Sequence, residues 1–133
     1  MEKTLAIIKP DSVKKNVIGK IINRIEEEGF HIAEMRLVHL NRDDIYGFYA
    51  VHKQKVWFED LVTFMSSGDS VVLLLERENA IAEWRRLMGA TDPAKAAPGT
   101  LRHTYGFSIE RNAVHGSDAR DTAETEIAFF FKN

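Results

Sequence analysis

The sequence predicts an α+β fold in which four antiparallel strands form one sheet and helices pack against one of its faces. Short apolar runs of strand length alternate with longer segments whose apolar residues recur every three or four positions. The chain has 133 residues, of which 44% are hydrophobic, which is enough for one hydrophobic core. We therefore expect a single domain over residues 1–133 with a βαββαβ, or ferredoxin-like, order of elements and one long loop.

The first strand and the first long helix are bounded by a proline and a glycine. Residues 4–8 form an apolar run typical of a buried strand, and Pro10 ends it because proline lacks the N–H that a sheet needs. Lys9 should therefore lie at the carboxyl end of this strand. Residues 18–25 carry four isoleucines at helical spacing, which predicts an amphipathic helix that ends at Gly29.

Two strands and three helices are predicted in the middle of the chain. Residues 31–40 alternate loosely and indicate a second strand, while the continuous apolar run of residues 70–75 indicates a central third strand. Helical spacing of apolar residues predicts helices over residues 42–51, 58–65 and 78–88.

The last third of the chain combines a long loop with a predicted final strand. Residues 90–114 show neither helical nor strand periodicity, and a loop of this length inside a compact domain is usually functional. Ser117 and Asp118 are residues that favour the start of a helix. A short helix is expected there, and residues 126–131, which are apolar after Glu126, predict the fourth strand.

Composition and charge restrict the classes of partner. A formal net charge of −2 gives no general attraction to nucleic acid or to an acidic membrane. The chain has no cysteine, which excludes disulfides and thiolate metal sites. The N-terminal apolar run, residues 5–8, is too short for a signal peptide or a membrane span. The expectation is a cytoplasmic protein that binds neither nucleic acid nor membrane.

The strongest single candidate for chemistry is His115. If a helix begins at Ser117, the imidazole lies just outside its positive end, where anions bind and the ring stays neutral. A neutral imidazole has a free lone pair and can act as a nucleophile, and Gly116 would leave room for a reactant. Taken alone, however, an ordinary entry into a helix beside an unrelated histidine is the more common situation.

Other side chains would have to hold any phosphate, because the usual motifs are absent. The chain has neither of the glycine-rich phosphate loops, no His-Glu-x-x-His and no acidic cluster spaced for a metal. Polar side chains at the strand end, on the helix before the loop and within the loop could do so: Lys9, Arg85, Thr91, Arg102 and Asn112. Each also has an ordinary explanation, such as a surface arginine, a snorkelling lysine or a turn residue.

Six pieces of the sequence together resemble the nucleoside diphosphate kinase family over nearly the whole chain. In order, they are residues 7–11 (IIKPD), 48–52 (FYAVH), 61–68 (LVTFMSSG), 88–93 (MGATDP), 98–102 (PGTLR) and 112–118 (NAVHGSD). Six pieces in the right order are far more specific than any one of them. The resemblance implies transfer of the γ-phosphate of a nucleoside triphosphate to a nucleoside diphosphate, by a ping-pong route through a phosphohistidine at His115.

The resemblance also implies roles for the other candidates. Glu126 would accept a hydrogen bond from the far imidazole nitrogen and fix the tautomer, with Ser117 bridging. The positions that match the family's phosphate and ribose contacts are Lys9, Tyr49, Arg85, Thr91, Arg102 and Asn112. Trp57, where the family usually has phenylalanine, would stack on the base opposite Ile109, and stacking alone accepts any base.

A cofactor and an assembly are implied in the same way. Mg²⁺ would bridge the nucleotide phosphates, held mostly by nucleotide and water, with Asp118 as a candidate indirect ligand. Family members form dimers that group into tetramers or hexamers, so a homo-oligomer is expected.

Two alternatives remain open at this stage. One is a catalytically silent family member that binds nucleotides or partners, which is disfavoured because every expected active-site side chain is present. The other is a ferredoxin-like RNA-binding domain, which needs exposed aromatic residues on its central strands. The third-strand run, residues 71–75, has no aromatic residue, and the net charge is negative.

Overall fold

The structure is a computed structural model that describes residues 1–131, and it contains one four-stranded sheet. The strands are β1 (Glu2–Ile8), β2 (His31–His39), β3 (Asp69–Arg77) and β4 (Val114–Gly116). They lie in the order β2-β3-β1-β4, and all neighbouring pairs are antiparallel. The predicted α+β fold with a four-stranded antiparallel sheet is therefore confirmed.

Residues 1–131 contain seven helices: the four that the apolar periodicity predicted, one before them, one inside the predicted long loop and one that runs through the predicted fourth strand. They are α1 (Pro10–Lys14), α2 (Ile18–Glu27), α3 (Arg42–Phe48), α4 (Phe58–Met65), α5 (Ala80–Met88), α6 (Leu101–Tyr105) and α7 (Arg120–Phe131), with 3₁₀ turns at Ala50–His52 and Pro93–Lys95. Gly29 follows α2 with φ of +87°, a conformation that suits glycine. Within residues 1–131, no helix is both long enough and apolar enough to cross a membrane.

Helices cover both faces of the sheet, so the prediction that they lie on one face was wrong. On β1, Ala6 and Ile8 belong to a core cluster formed with α2 and α5. Leu5 and Ile7 alternate with them and belong to a second cluster formed with α3, α4 and α7. The reason is that a continuous apolar strand exposes apolar side chains on both faces, and both must be covered.

The fourth strand lies at Val114–Gly116, whereas residues 126–131, predicted as a strand, form the end of α7. A short apolar run is compatible with either a strand or a buried helix, and tertiary packing decides between them. Ile127, Phe130 and Phe131 are spaced by three and four residues, and all three pack against the second core cluster. That helical spacing was the signal in the sequence.

Strand β4 turns His115 and its neighbours to opposite faces. It pairs with β1 so that His115 lies opposite Ile7 and Gly116 lies opposite Ala6. A Cβ atom on Gly116 would lie 2.4 Å from Cδ1 of Trp84, closer than side chains tolerate. The glycine is therefore required by core packing against α5, and not, as the sequence suggested, to clear the imidazole.

We expect Gly116→Ala to lower the free energy of unfolding by about 1–3 kcal/mol, because the added methyl group overpacks the core beside Trp84. Urea denaturation followed by circular dichroism measures this change. Gly19→Ala is the matched control, because a Cβ at that exposed position meets nothing within 4 Å. Equal stability of Gly116→Ala and the parent chain would contradict the packing argument.

Candidate active site

His115 is held at both its ring and its backbone. It lies in the middle of β4, with its side chain 19% exposed, and its Nε2 atom is 3.0 Å from Oε1 of Glu126 on α7. Its carbonyl oxygen accepts a hydrogen bond of 3.1 Å from Nε1 of Trp84. Within residues 1–131, Nδ1 of His115 has no hydrogen-bond partner, so this nitrogen is the one left for a reactant.

Ser117 links the Glu126 carboxylate to β1 and determines which atoms carry protons. Its Oγ accepts a hydrogen bond from the Leu5 N–H at 3.3 Å and donates one to Oε1 of Glu126 at 2.9 Å. Oε1 therefore acts as an acceptor, as an ionised carboxylate does. The imidazole nitrogen that faces it, Nε2 of His115, must then donate. This arrangement leaves the lone pair on Nδ1.

The helix that the sequence places directly after His115 begins later, so this part of the prediction was wrong. α7 begins at Arg120, and Ser117 is fully buried against β1. Asp118 pairs with Arg85 and does not begin the helix. The proton position on the imidazole is therefore set by the Glu126 carboxylate, not by a helix end.

Lys9 and Asn112 form a buried polar pair beyond the end of β1. Nζ of Lys9 donates to Oδ1 of Asn112 at 2.9 Å and to the carbonyl oxygen of Glu110 at 3.1 Å. Asn112 in turn donates to the carbonyl oxygen of Thr91 at 3.1 Å. Burial lowers the pKa of Lys9 to about 8, although the Asp11 carboxylate opposes this shift. The ammonium group has three protons and uses two, so one can bind a phosphate oxygen.

Two arginines add positive charge beside β4. Arg102 donates from its terminal nitrogens to the carbonyl oxygens of Gly89, at 3.1 Å, and Val114, at 2.9 Å. Burial, aided by the charge of Arg85, lowers the pKa of Arg102 to about 10, so it remains charged at neutral pH. Arg85 is half-exposed and bonds Oδ1 of Asp118 at 2.7 Å. This exposed ion pair can exchange its partner at little cost.

Aromatic rings enclose the imidazole on the side of α3. The ring centroid of Phe48 is 5.4 Å from that of His115, and that of Tyr49 is 5.9 Å away. Burial, together with the nearby Glu126 carboxylate, raises the pKa of Tyr49, so its hydroxyl keeps its proton and can donate.

The two residues expected to hold a base are exposed. Trp57 directly precedes α4 and is 44% exposed, and Ile109, in the loop before β4, is 62% exposed. The Trp57 ring lies with its centroid 5.4 Å from that of His52. Large apolar side chains at the surface are available for stacking on a ligand.

The match to known proteins covers nearly the whole chain. The family model described as nucleoside diphosphate kinase matches residues 2–133. The chain belongs to the nucleoside diphosphate kinase family. Among curated relatives, the nucleoside diphosphate kinase of Nitratiruptor sp. is 58% identical over 98% of this chain and 96% of its own length. That of Geotalea uraniireducens is 55% identical over the same shares.

Solved nucleoside diphosphate kinases have the same fold. The Aquifex aeolicus enzyme matches with a TM-score of 0.95 and 40% identity, over 98% of this chain and 94% of that one. The Halobacterium salinarum enzyme, solved in complex with CDP, matches with a TM-score of 0.96 and 38% identity, over 99% and 88%. The family catalyses phosphate transfer between nucleotides, so the predicted enzyme class and kinase activity are confirmed.

In this fold, helices cover the sheet face that an RNA-binding domain would need to leave open. Such domains stack bases on the open face of a sheet. In the described residues, β1 and β3 are covered on both faces by the two core clusters.

Sequence reasoning missed three residues that support the candidate site. Phe48 packs against the imidazole, Trp84 bonds the backbone of His115, and Asp11 bonds the backbone of Ala113. Asp11 lies in the first of the six family pieces, and its position there was an available signal. The helical periodicity of residues 78–88 can mark Trp84 only as a core residue, because periodicity shows burial and not hydrogen bonding.

Proposed function

We propose that residues 1–133 act as one nucleoside diphosphate kinase domain that works by a ping-pong route through a phosphohistidine on Nδ1 of His115. The observation that carries this proposal is the hydrogen-bonded chain from Leu5 through Ser117 and Glu126 to Nε2 of His115. It holds the ring in one orientation with one free lone pair. Such preorganisation is what a histidine nucleophile needs.

The two half-reactions balance with no other acid or base. In the first, the Nδ1 lone pair of His115 forms a bond to the γ-phosphorus of the triphosphate. The bond from that phosphorus to the bridging oxygen breaks, and the departing diphosphate takes the electron pair. The proton on Nε2 stays in place and is shared with Glu126, which stabilises the charge that develops on the ring. The second half-reaction is the reverse, with another diphosphate as acceptor.

The polar side chains around His115 would bind the phosphates. Charge spreads over the phosphoryl oxygens in the transition state, and positioned cations stabilise it. Within residues 1–131, Lys9 has one N–H without a partner, and Arg85 can release Asp118 to bind an oxygen. The remaining proposed contacts are Tyr49, Thr91, Arg102 and Asn112. Arg102 would also support the site indirectly, since its terminal nitrogens bond the carbonyl oxygens of Gly89 and Val114.

The donor set suits Mg²⁺ carried by the nucleotide. Within residues 1–131, no group of three or more histidine, cysteine or carboxylate side chains is placed to hold a metal. Mg²⁺ usually binds through one or two carboxylates together with substrate phosphates and water. The carboxylate of Asp118, 80% exposed and beside Arg85, fits this indirect role. The ion would neutralise charge on the phosphates.

Broad base specificity follows from stacking on Trp57 with Ile109 on the aliphatic side. The CDP complex of the Halobacterium salinarum relative supports binding of a nucleoside diphosphate by this fold. Stacking without contacts to base edges does not distinguish bases. We expect ATP, GTP, CTP and UTP to donate phosphate at comparable kcat/KM, measured with one diphosphate acceptor. A strong preference for one donor would indicate contacts to a base edge.

Intact mass after brief incubation with ATP and Mg²⁺ tests the proposed route. A phosphoryl group adds about 80 Da, should be acid-labile and should be lost on a chase with GDP. Nucleotide binding without any gain in mass would favour the catalytically silent alternative instead.

We also propose a homo-oligomer built from dimers. In each dimer, the two copies of the chain would pair through the edge of β2. In the part of the chain that the structure describes, β2 has one neighbour in the sheet, and its side chains Met35 and Leu37 are 51% and 63% exposed. A free edge with exposed apolar residues favours pairing with another strand, here the β2 of a second copy.

The proposed location is the cytoplasm, where nucleoside triphosphates are available.

We expect Glu126→Gln to slow phosphorylation of His115 by at least about tenfold, because an amide can donate as well as accept and so no longer fixes the proton on Nε2. Rapid-quench measurement of phosphate incorporation gives this rate. Glu124→Gln is the matched control, since it makes the same change at an exposed position of the same helix. An unchanged rate in Glu126→Gln would make Glu126 merely structural.

A further inference from the structure

Ala113 has a backbone conformation that residues with a side chain rarely adopt. Its φ is +76°, and the Val114 N–H donates to the carbonyl oxygen of Asn112 at 2.9 Å. Together these features describe a three-residue γ-turn with positive φ, a strained form. The turn lies between Asn112 and the strand that carries His115. Its shape therefore sets the relative placement of two residues in the proposed site.

The peptide groups on either side of Ala113 are held by a distant part of the chain. Oδ2 of Asp11 accepts a hydrogen bond from the Ala113 N–H at 3.0 Å. The Lys9 N–H donates to the Ala113 carbonyl oxygen at 2.9 Å. Ala113 itself is fully buried. Strained conformations persist only where the surroundings enforce them, and here the partners come from the start of α1.

We propose that Asp11 is a positioning residue for phosphoryl transfer, because its carboxylate holds the strained turn that aligns Asn112 with His115. The inference rests on the proposed phosphohistidine route. Without this acceptor, the buried Ala113 N–H would have no partner. The φ of Ala113 would then relax to a negative value, and the peptide group that follows Asn112 would rotate. The amide of Asn112 and its bond to Lys9 would move away from the nucleophile.

Asp11 has a second, separable effect, which is electrostatic. Its other oxygen, Oδ1, is buried and has no hydrogen-bond partner within residues 1–131. The Asp11 and Glu110 carboxylates raise the pKa of Lys9 against the effect of burial, and Arg102 lowers it. Asparagine at position 11 would keep an oxygen for the Ala113 N–H but would remove this charge. The two effects can therefore be measured apart.

Comparison of Asp11→Ala with Asp11→Asn tests the proposal. At saturating ATP and below the pKa of Lys9, the rate of His115 phosphorylation should fall about 100-fold in Asp11→Ala, as expected for a displaced reactive group. It should stay within about fivefold of the parent in Asp11→Asn, because a neutral hydrogen bond replaces a charged one. The alkaline limit of kcat/KM should move to lower pH in Asp11→Asn.

A glycine at the turn provides the rescue. Glycine adopts positive φ without strain. The double variant Asp11→Ala/Ala113→Gly should therefore phosphorylate His115 at least about tenfold faster than Asp11→Ala does. Asp43→Ala is the matched control, because this exposed aspartate also lies in the first turn of a helix and should leave the rate unchanged. Near-ultraviolet circular dichroism identifies the folded variants. If Asp11→Ala does not fold, the rates of the double variant and of Asp11→Asn are each compared with that of the parent.

The outcomes separate this inference from the proposed function. A parent chain that forms no phosphohistidine would refute the proposed route, whatever Asp11 does. With a phosphorylated parent, the proposal is overturned if Asp11→Ala keeps the parent rate, if Asp11→Asn loses as much as Asp11→Ala, or if the glycine gives no recovery. The predicted order of rates, with recovery by glycine, would establish the positioning role.

Discussion

Replacing His115 with alanine should lower kcat by at least about 10⁴-fold, because no other group can accept the phosphoryl group in the ping-pong route. The variant should gain no mass with ATP and Mg²⁺. Nucleotide binding should persist, since the proposed phosphate and base contacts do not include the imidazole. Steady-state transfer, intact mass and isothermal titration with a nucleoside diphosphate measure these three quantities.

His31→Ala is the matched control for His115→Ala. His31 is a histidine at the start of β2, outside the candidate active site, so its loss tests the removal of an imidazole that does not contact the reacting groups. Its turnover should equal that of the parent. Transfer by His115→Ala at a rate comparable to the parent would refute the assignment of the nucleophile.

Activity should also depend on the charge of Lys9, in a pH range that burial determines. Lys9→Met is expected to lower the phosphorylation rate by about 10²–10³-fold, because a preorganised cation is removed from the phosphoryl oxygens. In the parent chain, burial lowers the pKa of Lys9 to about 8, so kcat/KM should fall as pH rises through that value. Bound phosphate favours the charged form, so the fall in kcat should occur at higher pH.

Two variants and one control distinguish Lys9 from other groups that titrate. Lys9→Arg should shift the alkaline fall of kcat/KM to higher pH, because guanidinium stays charged, and Lys9→Met should abolish it. Between pH 8 and 10.5, the unfolded lysine binds more protons than the folded one, so Lys9 alone makes the free energy of unfolding rise with pH. Unfolding curves at each pH therefore test whether lost activity reflects lost structure. An unshifted fall in both variants would exclude Lys9 as its cause.

The local sequence pattern was sufficient to predict those strands and helices whose signals lie within a few residues of one another. Proline and glycine bounded β1 and α2, and the apolar run of β3 marked a strand buried in the sheet, because these signals depend on residues a few positions apart. Residues 126–131 gave no such local signal, since the five apolar residues that follow Glu126 fit either the strand or the helix period. The helix was favoured because α7 packs Ile127, Phe130 and Phe131 onto one core cluster.

The sequence by itself determined the fold class, the family and the set of candidate side chains, because strand and helix periods and six ordered motifs are local properties. Only the tertiary structure decided how those side chains act. Glu126 reaches His115 from a helix, the Asp11 carboxylate bonds the backbone of a residue 102 positions away, and Gly116 is required by Trp84. Contacts between segments distant in sequence depend on how layers pack, and no local pattern encodes that arrangement.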